Sequence, residues 1–303
     1  MSNKESAAPS GLILFHKPPG ITSFDALRDI KKTLGTGKVG HTGTLDKFAE
    51  GLLLVLAGRA LKLSKWFTHC DKQYEATVHF GAETDTLDPE GAVVASAPAP
   101  SREAVERVLP QFTGCIEQAP PAYSAIHVDG QRASVLARRG ETPEMRKRPV
   151  TVHRLELLSW DPPLARIFVH CSSGTYIRAL ARDIALAAGS RAHLTALVRT
   201  RVAGFMKLGM RNEESLLPLT SYLFQTLGIP CIDIAAEDAR NMIQGKPLAP
   251  MLAQVSPDLL RGEAAAIFSG DRFIAMLEQQ TPLNSRPSPL TPHWSYGYVY
   301  ARD

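Results

Sequence analysis

Asp46 ends the run HTGTLD, between a glycine-rich loop and the apolar segment FAEGLLLVLAG. A carboxylate placed there stands at the mouth of a core rather than on a solvated face. Burial would raise its pKa, and a guanidinium beside it would lower it. Such a group can serve as a nucleophile or a base; a helix-capping aspartate is the plainer alternative. Gly35, Gly37 and Gly40 in the preceding loop spell G-x-G-x-x-G. The dinucleotide fingerprint needs a strand before it and an acidic residue roughly 20 positions later. Here a helical pattern precedes the glycines, the Arg59–Lys62 region is basic, and Lys38 is followed by Val39 rather than Ser or Thr. Nucleotide binding of either kind is excluded. The turn TDTLDPEG gathers Asp85, Asp88 and Glu90 but fails the calcium-loop spacing, so it reads as a tight turn. Cys70, Cys115, Cys171 and Cys231 lie far apart with no CxxC pair. Neither structural zinc nor a disulfide framework is expected, and no metal or organic cofactor is implied.

The elements that must carry Asp46 follow from periodicity and punctuation. Gly11–Phe15 reads as a buried strand, ended by KPPG. Thr22 or Ser23 can cap a helix over FDALRDIKKTL, whose Phe24, Leu27, Ile30 and Leu34 fall near one face. Tyr74 to Val94 suggests two β runs around TDTLDPEG, a hairpin. A helix fits Arg102 to Leu109, strands fit VTVHRLELLSW and ARIFVHCSS, and the strongest helix runs from Thr175 to a stop at Gly189. AHLTALVRT reads as a second short helix, and ASVLARRG as another. From Ile229 the pattern changes to short segments ending in GEAAAIFSGDRFIAMLE, a small β-rich module. The expected fold class is α+β, a central mixed or antiparallel sheet flanked by helices. The expected divisions are a disordered N-terminus over 1–10, a main domain over 11–228 and a C-terminal domain over 229–303.

Four blocks, KPPGITS, HTGTLDKFAEG, DKQYEATVHFGAETDT and CSSGTYIRALARDI, occur in this order and at separations that resemble the TruB family of tRNA pseudouridine synthases. The resemblance covers Gly11 to Phe205. It implies isomerisation of uridine-55 in the tRNA T-loop, with Asp46 as the essential carboxylate and Arg178 as its counter-charge. It implies Tyr74 as the aromatic stacked on the uracil. Tyr176 and Leu197 would line the uridine pocket, His41 would fill the space left by the flipped base, and Lys17 and Pro18 would support the Asp46 loop. The chemistry wants such residues. The N1–C1′ bond must break, the uracil must turn, and C5 must join C1′. Extruding the base costs a few kcal/mol, and stacking on an aromatic side chain offsets roughly 1–3 kcal/mol of that. Asp46 could attack C1′ or uracil C6, or act as a base at C1′.

Charge patterning agrees with an RNA partner. The chain carries a net +4, but residues 1–211 balance at +8 and residues 212–303 at −4. Gln131–Arg154 holds 7 Lys+Arg against 2 Asp+Glu. In the family, an insertion here (about 119–150) folds over the RNA stem-loop, which implies phosphate contacts from Arg138, Arg139, Arg146, Lys147 and Arg148. Three positions depart from the family pattern. Lys47 stands where proline usually follows the aspartate, His127 replaces a lysine, and an aromatic near Ser134 is absent. The C-terminal segment resembles a PUA-like appendage, with a supporting role. A monomeric, cytoplasmic, membrane-free enzyme needing no protein partner is expected. The rival readings are a non-catalytic RNA-binding protein on the same scaffold, a guide-RNA-dependent synthase and a two-carboxylate hydrolase.

Overall fold

A computed structural model describes residues 9–141, 143–206, 215–247, 252, 255, 263–280 and 293–300. Most of the expected disordered N-terminus, residues 1–8, lies outside the described residues. Pro9 and Ser10 are placed, and the Ser10 hydroxyl accepts from the Arg59 backbone amide at 2.9 Å.

The apolar run after Asp46 becomes β3 (Glu50–Ala57), buried along nearly its whole length. It pairs antiparallel with β1 (Gly11–Lys17) and with the short β2 (Val39–His41). Helix α1 (Ser23–Leu34) covers one face of these strands with Ala26, Leu27 and Ile30. Its start is a capping box: the Thr22 hydroxyl accepts from the Asp25 amide and the Asp25 carboxylate from the Thr22 amide. Its stop is Gly35 at φ 62°, with its N–H bonded to the Lys31 and Lys32 carbonyls. The first glycine of the G-x-G-x-x-G run is therefore a helix terminator.

The sheet continues through β12 (Ala192–Val202), β4 (Lys72–Phe80), β11 (Leu164–Cys171), β10 (Arg148–Asp161) and β7 (Gly114–Gln118), in the order β1-β3-β12-β4-β11-β10-β7. All neighbours are antiparallel except β3 and β12. AHLTALVRT is thus a central strand, not the expected helix. Pairing on both edges and burial of Leu194, Leu197 and Arg199 override the local helical pattern. At its crossing with β3, Gly51 has φ 116°, and a Cβ there would lie 2.3 Å from the Arg199 carbonyl oxygen. Only glycine fits. The expected hairpin around TDTLDPEG is present, but its strands are β5 (Ala82–Thr84) and β6 (Val93–Ser96), beyond β4.

Helix α5 (Ile177–Ala187) packs Leu180, Ala181 and Ile184 on β4, β11 and β12, with α3 (Arg102–Val108) beside it. Between β7 and β10 lie the two-residue strands β8 (His127–Val128) and β9 (Gln131–Arg132) and helix α4 (Ala133–Arg138). A two-residue β13 (Phe205–Met206), helices α2 (Ser64–Thr68), α6 (Ser221–Thr226) and α7 (Ala236–Ile243), and short 3-10 helices at Gly58–Leu63 and Leu109–Phe112 are also present. A second sheet is formed by β14 (Cys231–Asp233), β15 (Ala264–Ser269), β16 (Arg272–Gln280) and β17 (His293–Val299). It does not stand apart. Phe268, Phe273 and Met276 share one buried cluster with Leu12, Leu52, Leu54, Phe67 and Phe224, and Phe224 stacks on Phe273 at 4.7 Å. Apolar contact therefore crosses the boundary expected at Ile229. Among the described residues no helix is long and apolar enough to cross a membrane. Replacing Phe273 with Ala is expected to cost about 3–5 kcal/mol. In urea, probes in both sheets should report one common, shifted transition; separate transitions would show independent units.

Candidate active site

The loop carrying Asp46 is clamped from three directions. From α1, the Ser23 hydroxyl bonds the Leu45 carbonyl and amide, each at 2.9 Å. From the end of β1, the fully buried Lys17 ammonium donates to the carbonyls of Ile21 at 2.7 Å, Pro18 at 3.0 Å and Lys47 at 3.3 Å. From β12, the Arg199 guanidinium donates to the carbonyls of Leu52 at 2.7 Å, Gly43 at 3.0 Å and Thr44 at 3.4 Å. Buried carbonyls would otherwise go unpaired, and charged donors satisfy them strongly. Lys17 thus touches the loop directly, whereas Pro18 is exposed and contributes its carbonyl to Lys17. Burial pulls the Lys17 ammonium down to about 8, partly opposed by Asp46.

Asp46 faces Arg178 of α5 in a two-point contact. Oδ2 lies 2.9 Å from Nε, and Oδ1 accepts from Nη2 at 3.2 Å. The arginine is itself held on all sides. Nη1 donates to the Thr86 carbonyl at 2.6 Å and to Asp88 Oδ2 at 3.1 Å, and Nη2 to the Tyr123 carbonyl at 2.9 Å. Asp88 is buried too, and its other oxygen accepts from the Thr86 hydroxyl at 2.5 Å and the Glu90 amide at 3.0 Å. Burial pushes the Asp46 carboxyl above the usual carboxylate range. Arg178 pulls it back, Asp88 pushes it further up, and Lys17 pulls it down. About a third of the Asp46 side chain stays open, so it can be reached from outside while its guanidinium partner cannot. Arg182, one turn along the helix, is not part of this network; it bonds Asp183 and the Ala119 carbonyl.

Tyr74 on β4, Leu197 on β12 and Leu45 belong to one buried cluster with Ala49 and Ile177. Burial pushes the Tyr74 phenol up, with Arg199 as the opposing charge. Tyr176 is the residue before α5, half-buried, its backbone held on both sides by Gln118: N–H to Oε1 at 2.8 Å and carbonyl from Nε2 at 3.1 Å. Burial raises its phenol as well, and Asp46 and Arg178 are among the charges that act on it. His41 ends β2 opposite Val55, at the entry to the loop, and burial lowers its pKa, aided by Arg199. The structure thus brings Asp46, Arg178, Tyr74, Tyr176 and Leu197 around one loop, with Lys17 beneath. Lys47 points its charge elsewhere, to Glu90 at 3.0 Å.

The basic residues lie apart from this group. Arg138 ends α4, Arg139 follows it and donates to the Gln131 side chain, and Arg148 starts β10. Arg138, Arg139, Arg146, Lys147 and Arg148 are all exposed. Four contributors were not singled out from sequence: Ser23, Asp88, Gln118 and Arg199. Asp88 had a sufficient local explanation as a turn residue, and Arg199 was hidden by the helical reading of its strand.

A family model described as TruB family pseudouridylate synthase (N terminal domain) matches residues 31–177. A protein named tRNA pseudouridine synthase B from Treponema pallidum is 45% identical over 256 residues, 75% of this chain and 69% of the relative. One of the same name from Aromatoleum aromaticum is 42% identical over 249 residues, covering 79% and 81%. The chain belongs to the TruB family of pseudouridylate synthases. A further relative from Bordetella pertussis, likewise named tRNA pseudouridine synthase B, is 47% identical over 209 residues, 68% of this chain and 86% of that one. Among solved structures, a Cbf5-Nop10-Gar1 complex aligns at TM-score 0.68 and 24% identity, over 98% of this chain and 87% of that one. An H/ACA RNP bound to a substrate RNA containing 2′-deoxyuridine aligns at 0.64 and 22%, over 99% and 88%. Those two likenesses are of fold. Within this TruB-family site, Asp88→Ala should leave the buried Arg178 undercompensated and cost about 3–5 kcal/mol in urea unfolding. A loss below about 1 kcal/mol, the range of an exposed pair, would contradict that role.

Proposed function

We propose that the protein isomerises uridine-55 of the tRNA T-loop to pseudouridine, working in the cytoplasm and without a protein partner. The observation that carries this is the two-point pair of Asp46 with a buried Arg178, beside Tyr74 and Tyr176. A flipped uracil needs an aromatic platform, and the sugar–base unit needs an ionised carboxylate in a partly desolvated place. Tyr74 is the platform, Tyr176 and Leu197 the walls, and His41 the group that takes the vacated space. Asp46 performs the chemistry that frees the base. Arg178 keeps that carboxylate ionised and aimed, because its remaining donors are occupied by Thr86, Asp88 and Tyr123. tRNA as substrate follows from the names of the relatives.

The wild-type chain should release tritium from a 5-³H-uridine tRNA transcript, and Asp46→Asn should release none. A silent wild type would end the synthase reading, and equal release would remove Asp46 from the mechanism. Because its carboxyl is raised from 3.8, activity should fall as pH drops through a midpoint above that value. Asp88 contributes to the elevation, so Asp88→Asn should move the midpoint to lower pH; a move upward would contradict its electrostatic part.

The arm residues Arg138, Arg139, Arg146, Lys147 and Arg148 hold the RNA backbone in this reading. Replacing all five with Ala should weaken tRNA binding and flatten its dependence on salt. The logarithmic slope should drop by roughly 0.7 for each phosphate of single-stranded RNA left without its cation. Unchanged affinity across a salt series would refute the assignment.

A further inference from the structure

Three donor residues that no sequence spacing connects meet on the side of the sheet away from Asp46. β4 alternates buried and half-buried positions, so Lys72 and Tyr74 face the core while Gln73 faces out. His170 on β11 pairs with Gln73 and shares that outer face. On β10 the register slips between Val152, opposite Cys171, and Arg154, opposite His170. His153 is the extra residue of a β-bulge, a device that re-aims a side chain. It lies against His170 with ring centroids 4.8 Å apart. Asp71, just before β4, completes the group. Its backbone carbonyl accepts from the Ala203 amide at 2.9 Å, which anchors the residue at the strand's entrance.

We propose that Asp71, His153 and His170 bind one divalent transition-metal ion of the zinc, nickel or copper(II) class on the outer face of the sheet. The donor atoms of the three residues all lie within 4.8 Å of one another. His153 Nε2 and Asp71 Oδ2 are already 3.1 Å apart. Two such donors bound at roughly 2.0–2.2 Å to a tetrahedral ion stand about 3.3 Å apart, so that edge of a shell is preformed. Small side-chain rotations bring in the third donor. The set is two imidazoles and one carboxylate, a combination suited to borderline ions rather than to calcium or magnesium.

A further observation favours the ion. Asp71 and His170 line a hollow of about 310 Å³, together with Cys70, Gln73, Arg201 and Thr226. Water can therefore fill the fourth position, as in open zinc sites. Arg201, inside the same hollow, is the charge that limits affinity. An ion here would tie the entrance of β4 to β10 and β11. The hollow reaches Leu227 and Gly228, shortly before the second sheet begins at Cys231, so the effect should be on cohesion rather than on the chemistry at Asp46.

The test uses the full chain, freed of any histidine tag and stripped with chelator. Titration with Co²⁺ should give visible absorption that saturates at one ion per chain and disappears when Zn²⁺ is added. Zn²⁺ should raise the melting temperature of the wild type. His170→Ala should abolish both effects, and Asp71→Asn should weaken them. His153→Gln, at an exposed position, provides the same reading should His170→Ala fail to fold. The double variant His79→Ala/His193→Ala removes another adjacent imidazole pair and should change nothing. No saturable binding, or binding that survives loss of His170 or His153 or vanishes with His79 and His193, would overturn the proposal.

Discussion

Everything around the reactive loop is arranged so that one guanidinium can be buried beside one reachable carboxylate. Desolvating a charge is costly unless it is paired and all its donors are met. Arg178 comes close to that condition: Nη1 and Nη2 are hydrogen-bonded to two carboxylates and two backbone carbonyls, and Nε lies 2.9 Å from Asp46 Oδ2 without an aligned hydrogen bond. Those partners come from separate parts of the chain: Asp46 from the loop before β3, Thr86 and Asp88 from the β5–β6 hairpin, and Tyr123 from the segment after β7. Removing any one would expose the cost of the others. The pair therefore constrains the positions of three loops at once. The sheet that unites β4, β11 and β12 behind α5 is what holds the arginine still.

The two ends of the pair are treated differently. Arg178 is sealed, whereas Asp46 keeps part of its side chain open. A sealed partner cannot be diverted by solvent or by phosphate, and an open carboxylate can be approached by a ribose. The opposing pushes of burial and Asp88 and pulls of Arg178 and Lys17 set its acidity by competition rather than by one dominant neighbour. Lys47, next to the carboxylate, turns to Glu90 and leaves this balance to the buried groups.

Much of this could be read in the chain itself, where local pattern and role coincide. The strand at β1, the capping box of α1, the long α5 and the β15–β16 hairpin carry their own signals. Asp46, Tyr74 and Arg178 stood out because four blocks occurred together. Asp88 did not, because Asp-Pro-Glu-Gly suffices to explain a turn, and only the fold shows its carboxylate meeting an arginine 90 residues away. Arg199 was hidden for another reason. Its segment has helical periodicity, and the pairing with β3 and β4 that makes it a strand involves partners more than a hundred residues earlier. The apolar seam between the sheets was likewise invisible, since Phe268 and Phe273 look like ordinary core residues of a small module.

Lys17, Lys72 and Arg199 form a group of buried cations near the Asp46 loop, each hydrogen-bonded chiefly to carbonyl oxygens rather than paired with acids. Counter-ions cannot reach them, so the Debye screening that weakens exposed charges leaves theirs largely intact. The protein thus holds two kinds of positive charge towards a polyanion. If the exposed arm holds RNA as proposed, it exchanges ions with the medium as RNA arrives, whereas the buried cations beside the Asp46 loop carry a field that ionic strength hardly alters. In the proposed function, capture of the RNA would then fall to the surface and retention of the nucleotide to the core.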